Sequence, residues 1–241
     1  MKLKKLYVIS DIHGYFSIMK EAFDKAGFEA DNEEHLLICL GDYFDRGNEN
    51  LEVLKYFERL KNCVLLKGNH EDMLLKLLYT GKVEHHHRIN GTINTLDNFF
   101  GKDVFDLSDN TLDFSGKTRT VDRICDFIYD KSDYFETENY VFVHGWIPSG
   151  CKSAEDLKNA SDAQWQEARK SKWHLNYKGT PPLEGKTLVC GHVPTFYAGL
   201  VEPSWNENCT DIFYGNGLIA IDAGTHDTKK ANVLVIEDDL L

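Results

Sequence analysis

The chain has 241 residues, of which 42% are hydrophobic, and this is enough apolar material for one substantial core. Lysine and arginine number 27 against 39 aspartates and glutamates, so the formal net charge is −12 and the surface as a whole should repel phosphate backbones. We therefore expect a single domain with one functional site, and we do not expect nucleic acid as a partner.

The cysteines and the N-terminus indicate the cellular compartment of the protein. The six cysteines form no Cys-x-x-Cys pair, and Cys39, Cys63 and Cys190 lie in or beside apolar runs, where a reduced thiol behaves as a small hydrophobe. The basic N-terminus passes directly into a short strand pattern, and no apolar run approaches ~18 residues. We therefore expect a cytoplasmic protein with no signal peptide, no membrane span and no membrane partner.

Three strand-and-helix units follow one another in the first part of the chain. Residues 6–10, 36–40 and 64–66 have the apolar pattern of buried strands, and each is followed by a polar corner and an amphipathic helix pattern. This order predicts parallel strands whose carboxyl ends meet at one edge of a sheet. All of the polar corners should then share that edge.

These corners carry groups that suit metal and phosphate chemistry. In chain order the groups are Asp11 and His13, then Asp42, Asp45 and Arg46, then Asn69 and His70. Asp11 and His13 are two residues apart, so an extended strand end would turn both side chains toward one ion. Each corner alone is a weak signal, because Asp-x-His and Asp-x-x-Asp are more often ordinary turns.

The region from about residue 81 to residue 133 breaks this pattern. It is polar and rich in Asn, Asp and Thr, with a helix pattern near residues 121–129, and we interpret it as a cap-like insertion over the site. The run His85-His86-His87 suggests a metal site, but adjacent residues cannot all face one ion. Its polar flanks favour a solvated loop instead.

The second half of the chain returns to strands with polar exits. Residues 140–143 end in His144-Gly145, residues 187–190 end in Gly191-His192, and one helix is predicted between them over residues 154–170. Closing strands are predicted at residues 218–221 and 233–236. The first of these ends in Asp222, which could orient a ligand but is more typical of a turn residue before Ala-Gly.

Five successive strand exits thus carry candidate metal ligands, almost always beside glycine. Carboxylate, amide oxygen and imidazole together suit first-row divalent ions such as Mn²⁺, Fe²⁺ or Zn²⁺, and the absence of thiolates argues against a structural zinc site. Two ions need one ligand that can bridge them. Asp42, whose carboxylate has two oxygens, is the expected bridge.

The series of corners resembles the PPP family of metallophosphoesterases, and within it the compact bacterial and phage-type serine/threonine protein phosphatases. The motifs are Asp-x-His-Gly, Gly-Asp-x-x-Asp-Arg-Gly, Gly-Asn-His-Glu, His-Gly-x-x-Pro and Gly-His-x-Pro, and the likeness spans about residues 6–224. It implies the calcineurin-like α/β fold, a sandwich of two β-sheets flanked by helices with the metal site at the carboxyl ends of the strands. One such domain would occupy residues 1–241.

The resemblance also implies a role for each matching residue. One of two divalent ions, manganese by preference and iron or zinc as alternatives, would be held by Asp11, His13 and Asp42. The other would be held by Asp42, Asn69, His144 and His192. His70 would be the general acid with Asp45 as its partner, and Arg46 would bind the phosphoryl group.

The family has a second phosphate-binding arginine shortly after a tryptophan. Arg169, four residues after Trp165, is the candidate for this role, although the spacing is looser than in the family. The alternative is a solvated helix residue, because cations are favoured at helix C-termini in any case.

The expected activity is hydrolysis of a phosphate monoester in a phosphoprotein or a small phosphorylated molecule. A hydroxide between the two ions would attack phosphorus and His70 would protonate the leaving group. Serine/threonine phosphatase activity is favoured, and dual specificity stays open. The nearest alternative is a symmetrical dinucleoside-tetraphosphate hydrolase, whose second motif tends to lack Asp45 and to place proline where Asn48 stands. A non-catalytic metal-binding scaffold would need neither His70 nor Arg46.

Overall fold

Two β-sheets form the centre of the structure, a computed structural model that describes residues 5–106 and 110–237. The strands are β1 (Lys5–Ile9), β2 (His35–Cys39), β3 (Cys63–Leu65), β4 (Phe105–Asp106), β5 (Thr111–Leu112), β6 (Tyr134–Glu136), β7 (Tyr140–Val143), β8 (Thr187–Cys190), β9 (Phe213–Gly215), β10 (Leu218–Ala220) and β11 (Leu234–Glu237). The helices are α1 (Phe16–Ala26), α2 (Asn50–Phe57), α3 (Asn69–Thr80), α4 (His85–Ile89), α5 (Thr92–Phe100), α6 (Thr118–Tyr129), α7 (Ala154–Lys158), α8 (Asp162–Lys170), α9 (Trp173–Asn176) and α10 (Thr225–Thr228). Lys102–Val104 and Thr195–Leu200 form 3₁₀ helices.

The strand order confirms the predicted parallel arrangement. The first sheet runs β11-β1-β2-β3, in which β1, β2 and β3 are parallel and β11 is antiparallel to β1. The second runs β6-β7-β8-β10-β9, in which β7, β8 and β10 are parallel and the two edge strands are antiparallel to their neighbours. A separate pair is formed by β4 and β5. The corners after the parallel strands carry the predicted ligands.

Alternation along the strands builds the sandwich. Leu6 and Val8 of β1 lie in the apolar cluster between the sheets, together with Val189 of β8. Tyr7 and Ile9, which point to the opposite face, lie in the cluster beneath the helices. Both faces of the first sheet are therefore covered, as expected for a parallel sheet.

The region between residues 81 and 133 supplies part of this helical layer. Leu96 and Phe100 of α5 and Phe127 of α6 belong to the core cluster against the first sheet. The prediction of a solvated loop at His85-His86-His87 is wrong, because these residues form α4 and His87 is buried. His87 Nδ1 accepts the backbone N–H of Glu84 at 2.9 Å, which turns the ring inward.

The single helix predicted over residues 154–170 is also wrong, since α7 and α8 are separate. Ser161 ends the interruption by accepting the backbone N–H of Gln164, whose side chain accepts the backbone N–H of Ser161 at 3.0 Å. Such a reciprocal pair is a strong local start signal for a helix.

In residues 5–106 and 110–237, no helix combines the length and the apolar character that a membrane crossing needs.

Candidate metal centre

The corners that carry the predicted ligands have an unusual backbone. Most non-glycine residues of positive φ in the described chain lie in them, namely Asp11 (52°), His13 (50°), Asp42 (55°), Asp45 (73°), Arg46 (65°) and His192 (66°). The left-handed conformation costs a residue with a Cβ atom roughly 1–2 kcal/mol, and such strain tends to collect at functional sites. The strain is thus concentrated where the strand exits meet.

Glycine lets these corners approach one another. A Cβ on Gly68 would lie 2.1 Å from Asp42 Oδ1, and one on Gly191 would lie 1.9 Å from Ser10 Oγ. Both distances are far shorter than any real contact, so a larger residue would displace the neighbouring corner. This explains why glycine stands beside the candidate ligands.

Asp42 lies at the centre of the group. Its Oδ1 is 3.4 Å from His144 Nε2, and its Oδ2 is 3.7 Å from His13 Nε2 and 3.8 Å from His70 Nε2. Burial would raise the pKa of Asp42, but the charges of His144 and His70 outweigh burial and hold that pKa well below its ordinary value. The two oxygens face different imidazoles, as a bridging ligand requires.

His13 and His144 are oriented through their other ring nitrogen. Their Nδ1 atoms donate to the carbonyl oxygens of Phe44 and Leu40, at 2.9 and 3.0 Å. Because a carbonyl can only accept, each Nδ1 carries a proton, and Nε2 is the ring nitrogen that faces Asp42. This is the usual way in which a protein fixes a metal-binding histidine.

Asn69 and His192 complete the side of the group around His144. Asn69 Oδ1 lies 3.0 Å from His144 Nε2, and Asp42, His144 and His192 offer ligand atoms that all lie within 4.8 Å of one another. Burial, followed by the charge of His144, lowers the pKa of His192 to about 3, while the charge of Asp42 opposes this shift. The ring is therefore neutral and able to bind a metal ion.

Asp11 stands beside this group. Its Oδ1 is 4.0 Å from His13 Nε2, and its Oδ2 accepts the Ser10 hydroxyl and the backbone N–H of His192 at 2.8 Å. The other group of ligand atoms within 4.8 Å contains His13, Asp42 and His70. The Asp11 carboxylate nevertheless lies next to His13.

His70 differs from the other imidazoles in its partner. Its Nδ1 lies 2.7 Å from Asp45 Oδ2, whereas His13 and His144 contact neutral carbonyl oxygens. Burial lowers the pKa of His70, but the Asp42 charge and the hydrogen bond to Asp45 outweigh it, and the net shift is upward. A carboxylate partner favours the imidazolium, which is the form that a general acid needs.

Asp45 is itself held by two residues that the sequence analysis did not select. Thr92 Oγ1 donates to Oδ2 of Asp45 at 2.9 Å, and Thr95 Oγ1 donates to Oδ1 at 2.8 Å, with all three side chains buried. The available signal was the Thr-x-x-Thr spacing at the start of α5, because residues three apart share one face of a helix.

Glu71, the last residue of Gly-Asn-His-Glu, joins two of the corners. Its carboxylate accepts the backbone N–H groups of Asp42 at 2.8 Å, Tyr43 at 3.0 Å and Gly68 at 2.9 Å. Burial and the nearby charge of Asp42 raise the pKa of Glu71 to about 7. Glu71 therefore positions the corner of Asp42 against the corner that follows β3.

The two candidate phosphate-binding arginines have different surroundings. Arg46 is half-buried, and its guanidinium forms no ion pair with any residue in the described parts of the chain. Burial and then the Arg46 charge lower the pKa of His13, so the charge of Arg46 acts on the candidate ligands. It is therefore free to receive an anion beside them.

Arg169 is buried, so the solvated alternative is wrong. Its Nε and Nη2 lie 2.8 Å from Asp72 Oδ2, and its Nη1 donates to Asp133. The guanidinium thus ties α3 and α8 together and is already neutralised. Its assignment as a phosphate ligand stays a prediction.

Asp222 has the geometry of a turn residue. Its Oδ1 accepts the backbone N–H of Gly224 at 2.7 Å, as the turn interpretation predicts. Burial, followed by the charge of Asp11, raises its pKa well above the ordinary value, so a neutral carboxyl is favoured beside the candidate ligands.

The donor set fits divalent metal ions. The distances of 3.4 and 3.7 Å between Asp42 oxygens and the Nε2 atoms of His144 and His13 exceed those of good hydrogen bonds. They suit ligands of a shared ion, because each metal–ligand bond is about 2.0–2.2 Å long. Two groups of ligand atoms that share Asp42 could each hold one ion.

Known proteins match both the sequence and the fold. Residues 4–224 match the family of calcineurin-like phosphoesterases. The chain is 38% identical over 79 residues to serine/threonine-protein phosphatase PP1-delta of Caenorhabditis elegans, which is 31% of this chain and 25% of that protein. It is also 38% identical over 76 residues to the symmetrical bis(5'-nucleosyl)-tetraphosphatase of Erwinia tasmaniensis, which is 31% of this chain and 27% of that protein.

These alignments cover only about a quarter of each relative. The structure of a protein serine/threonine phosphatase from Saccharomyces cerevisiae aligns with a TM-score of 0.57 at 15% identity, over 98% of this chain and 81% of that one. At this identity the likeness concerns the fold alone, and it confirms the predicted calcineurin-like architecture.

Proposed function

Because the chain belongs to the calcineurin-like phosphoesterase family, we propose that it is a metal-dependent hydrolase of phosphate monoesters. The favoured substrate is a phosphoserine or phosphothreonine protein, or a small phosphorylated molecule. The observation that supports this most directly is the pairing of His70 with Asp45 at 2.7 Å, beside Arg46 and the candidate ligands. A site that only stores metal would need neither a proton donor nor an unpaired arginine.

Two divalent ions, with manganese preferred and iron or zinc as alternatives, complete the proposed centre. One would be held by Asp11, His13 and Asp42, and the other by Asp42, Asn69, His144 and His192. When bound, such ions polarise phosphoryl oxygens and supply a water of lowered pKa. His70 is left out of both sets because its Nδ1 is held by the carboxylate of Asp45, whereas His13 and His144 contact carbonyl oxygens.

The side chains of this protein then have separate tasks. Arg46 binds two phosphoryl oxygens through its planar guanidinium, and this bonding strengthens as negative charge develops. His70 gives the proton on Nε2 to the departing oxygen of the ester. Asp45 holds the ring by its Nδ1 and stabilises the imidazolium, while Thr92 and Thr95 hold Asp45.

Symmetrical dinucleoside-tetraphosphate hydrolysis is a second candidate function. It is supported by the relative from Erwinia tasmaniensis, which matches this chain with the same identity and over a similar length as the protein phosphatase. The presence of Asp45 and of Asn48 after Gly47 favours phosphomonoesters. The two functions differ in substrate and share the metal centre.

Turnover of p-nitrophenyl phosphate with Mn²⁺ tests the proposal. We expect phosphate release by the wild-type protein and a large loss in the His70→Asn variant. Lack of turnover with Mn²⁺, Fe²⁺ and Zn²⁺ alike would contradict the proposed activity. Phosphoserine, phosphothreonine and phosphotyrosine peptides, compared with diadenosine tetraphosphate at equal concentration, then identify the favoured substrate class by kcat/KM.

A further inference from the structure

A second group of polar side chains lies at the rim of the metal centre. Tyr15 follows the corner that carries Asp11 and His13, while His226 and Lys229 lie in and directly after α10, behind the corner of Asp222. The proposed reaction uses none of these three residues. Two separate strand exits nevertheless bring them into contact.

The contacts within this group are specific. Lys229 Nζ donates to Tyr15 Oη at 2.9 Å and lies 4.3 Å from the centre of the tyrosine ring. Tyr15 Oη also lies 3.0 Å from Nδ1 of His226. The Tyr15 hydroxyl thus holds the ammonium group and the imidazole side by side. Both Lys229 and His226 are exposed to solvent.

The positive charge here has little compensation. In the described ranges, neither Lys229 nor Arg46 forms an ion pair with a carboxylate, although the protein as a whole has a net charge of −12. Burial and then the Arg46 charge lower the pKa of His226, while the charge of Asp227 opposes this shift. The corner of Arg46 adjoins the corner that leads into Tyr15, since Gly47 donates its backbone N–H to the carbonyl oxygen of His13 and Glu49 donates to that of Gly14, both at 2.9 Å.

Lys229 has an uncommon backbone conformation. Its φ of 56° lies in the left-handed region, outside the strained corners of the metal centre. In this conformation Lys229 ends α10, and its Nζ also donates to the carbonyl oxygen of His226 at 2.5 Å. The ammonium group thus contacts two acceptors, the Tyr15 hydroxyl and this carbonyl oxygen.

We propose that Tyr15, His226 and Lys229 form, beside Arg46, a subsite for a second phosphate group of the substrate. This inference rests on the proposed function, because Arg46 would hold the phosphate that is hydrolysed. An ammonium group beside an imidazole, both held by the Tyr15 hydroxyl, suits a phosphate that carries several acceptor oxygens. The second phosphate could belong to a polyphosphate chain or to a neighbouring phosphoserine.

Lys229→Gln and Tyr15→Phe test the subsite, since the first removes the charge and the second removes only the hydroxyl. The substrates are p-nitrophenyl phosphate, with one phosphate, then diadenosine tetraphosphate, and a doubly phosphorylated peptide with its singly phosphorylated counterpart. For the substrates with a second phosphate we expect a loss in kcat/KM of about 10-fold, mainly through KM, as for a lost charge-assisted hydrogen bond. For p-nitrophenyl phosphate the change should stay within about two-fold, as for an exposed substitution.

Lys230→Gln is the matched control, because it removes the same charge from the next residue, which takes no part in these contacts. A loss confined to diadenosine tetraphosphate would assign the subsite to a polyphosphate chain, and one confined to the doubly phosphorylated peptide would assign it to a phosphoprotein. Equal effects on all substrates, no effect on any, or an equal effect of Lys230→Gln would each overturn the subsite. If the wild-type protein hydrolyses p-nitrophenyl phosphate, such a result overturns the subsite alone and leaves the proposed function intact.

Discussion

Nδ1 of His70 lies 2.7 Å from Oδ2 of Asp45, and both side chains are buried. The ring is thus held by a carboxylate on one side while its Nε2 faces Asp42 on the other, at 3.8 Å. A metal-binding histidine can also have a carboxylate partner, so this geometry alone admits two roles. They differ in what happens to metal content and to the leaving group when the imidazole is removed.

His70→Asn should lower turnover by about 10²–10⁴-fold, the range typical of a lost general acid. Metal content should stay near that of the wild-type protein. The loss should be smaller for p-nitrophenyl phosphate than for an alkyl phosphate, because p-nitrophenolate leaves with little need of a proton. Equal losses for the two esters, together with a missing ion, would instead make His70 a metal ligand.

Thr95→Val should impair proton transfer from His70 indirectly, through Asp45. The valine keeps the shape but removes the hydroxyl that donates to Asp45 Oδ1 at 2.8 Å. We expect kcat to fall by roughly 10-fold, equivalent to about 1.4 kcal/mol, with a larger loss for the alkyl ester. Thr95→Ser keeps a hydroxyl donor and should therefore have a kcat close to that of the wild-type protein. If Thr95→Val also has the wild-type kcat, Asp45 needs no support from α5.

Asp42→Asn should weaken both metal sites. An amide offers one neutral oxygen where the carboxylate offers two charged ones, so it cannot bridge two ions in the same way. Metal analysis of the purified variant measures this directly. Asp222→Asn is a suitable control, because its carboxyl is also buried in this region but favours the neutral form. Two bound ions and normal turnover in Asp42→Asn would refute the bridging role.

Arg169→Lys and Arg46→Lys should separate a structural arginine from a phosphate ligand. Lysine cannot reproduce the fork that joins Arg169 to Asp72 and Asp133, so we expect a lower Tm. Arg46→Lys should instead lower kcat/KM by about 10–100-fold, as expected for a weakened charge-assisted contact of roughly 1.5–3 kcal/mol. An equal fall in kcat/KM for folded Arg169→Lys would support the phosphate role that the family resemblance implies.

The strand exits could be read from the sequence because their signals are local. A short apolar run, a glycine and a polar residue lie together in the chain, as at Asp42 and His144. Parallel strands then bring such exits to one edge whatever the details of packing. For this reason the predicted candidate ligands Asp42, His144 and His192 lie close together in the structure.

The residues that hold the site in place do so through contacts between distant parts of the chain, and a local sequence pattern does not show which partner each of them contacts. Thr95 and Asp45 are 50 residues apart, and Arg169 and Asp72 are 97 apart. The sequence analysis therefore passed over Thr95 and could not foresee that Arg169 is buried between carboxylates. Which side chain meets which across such distances follows from how helices α3, α5 and α8 pack onto the sheets, and only the tertiary structure decides it.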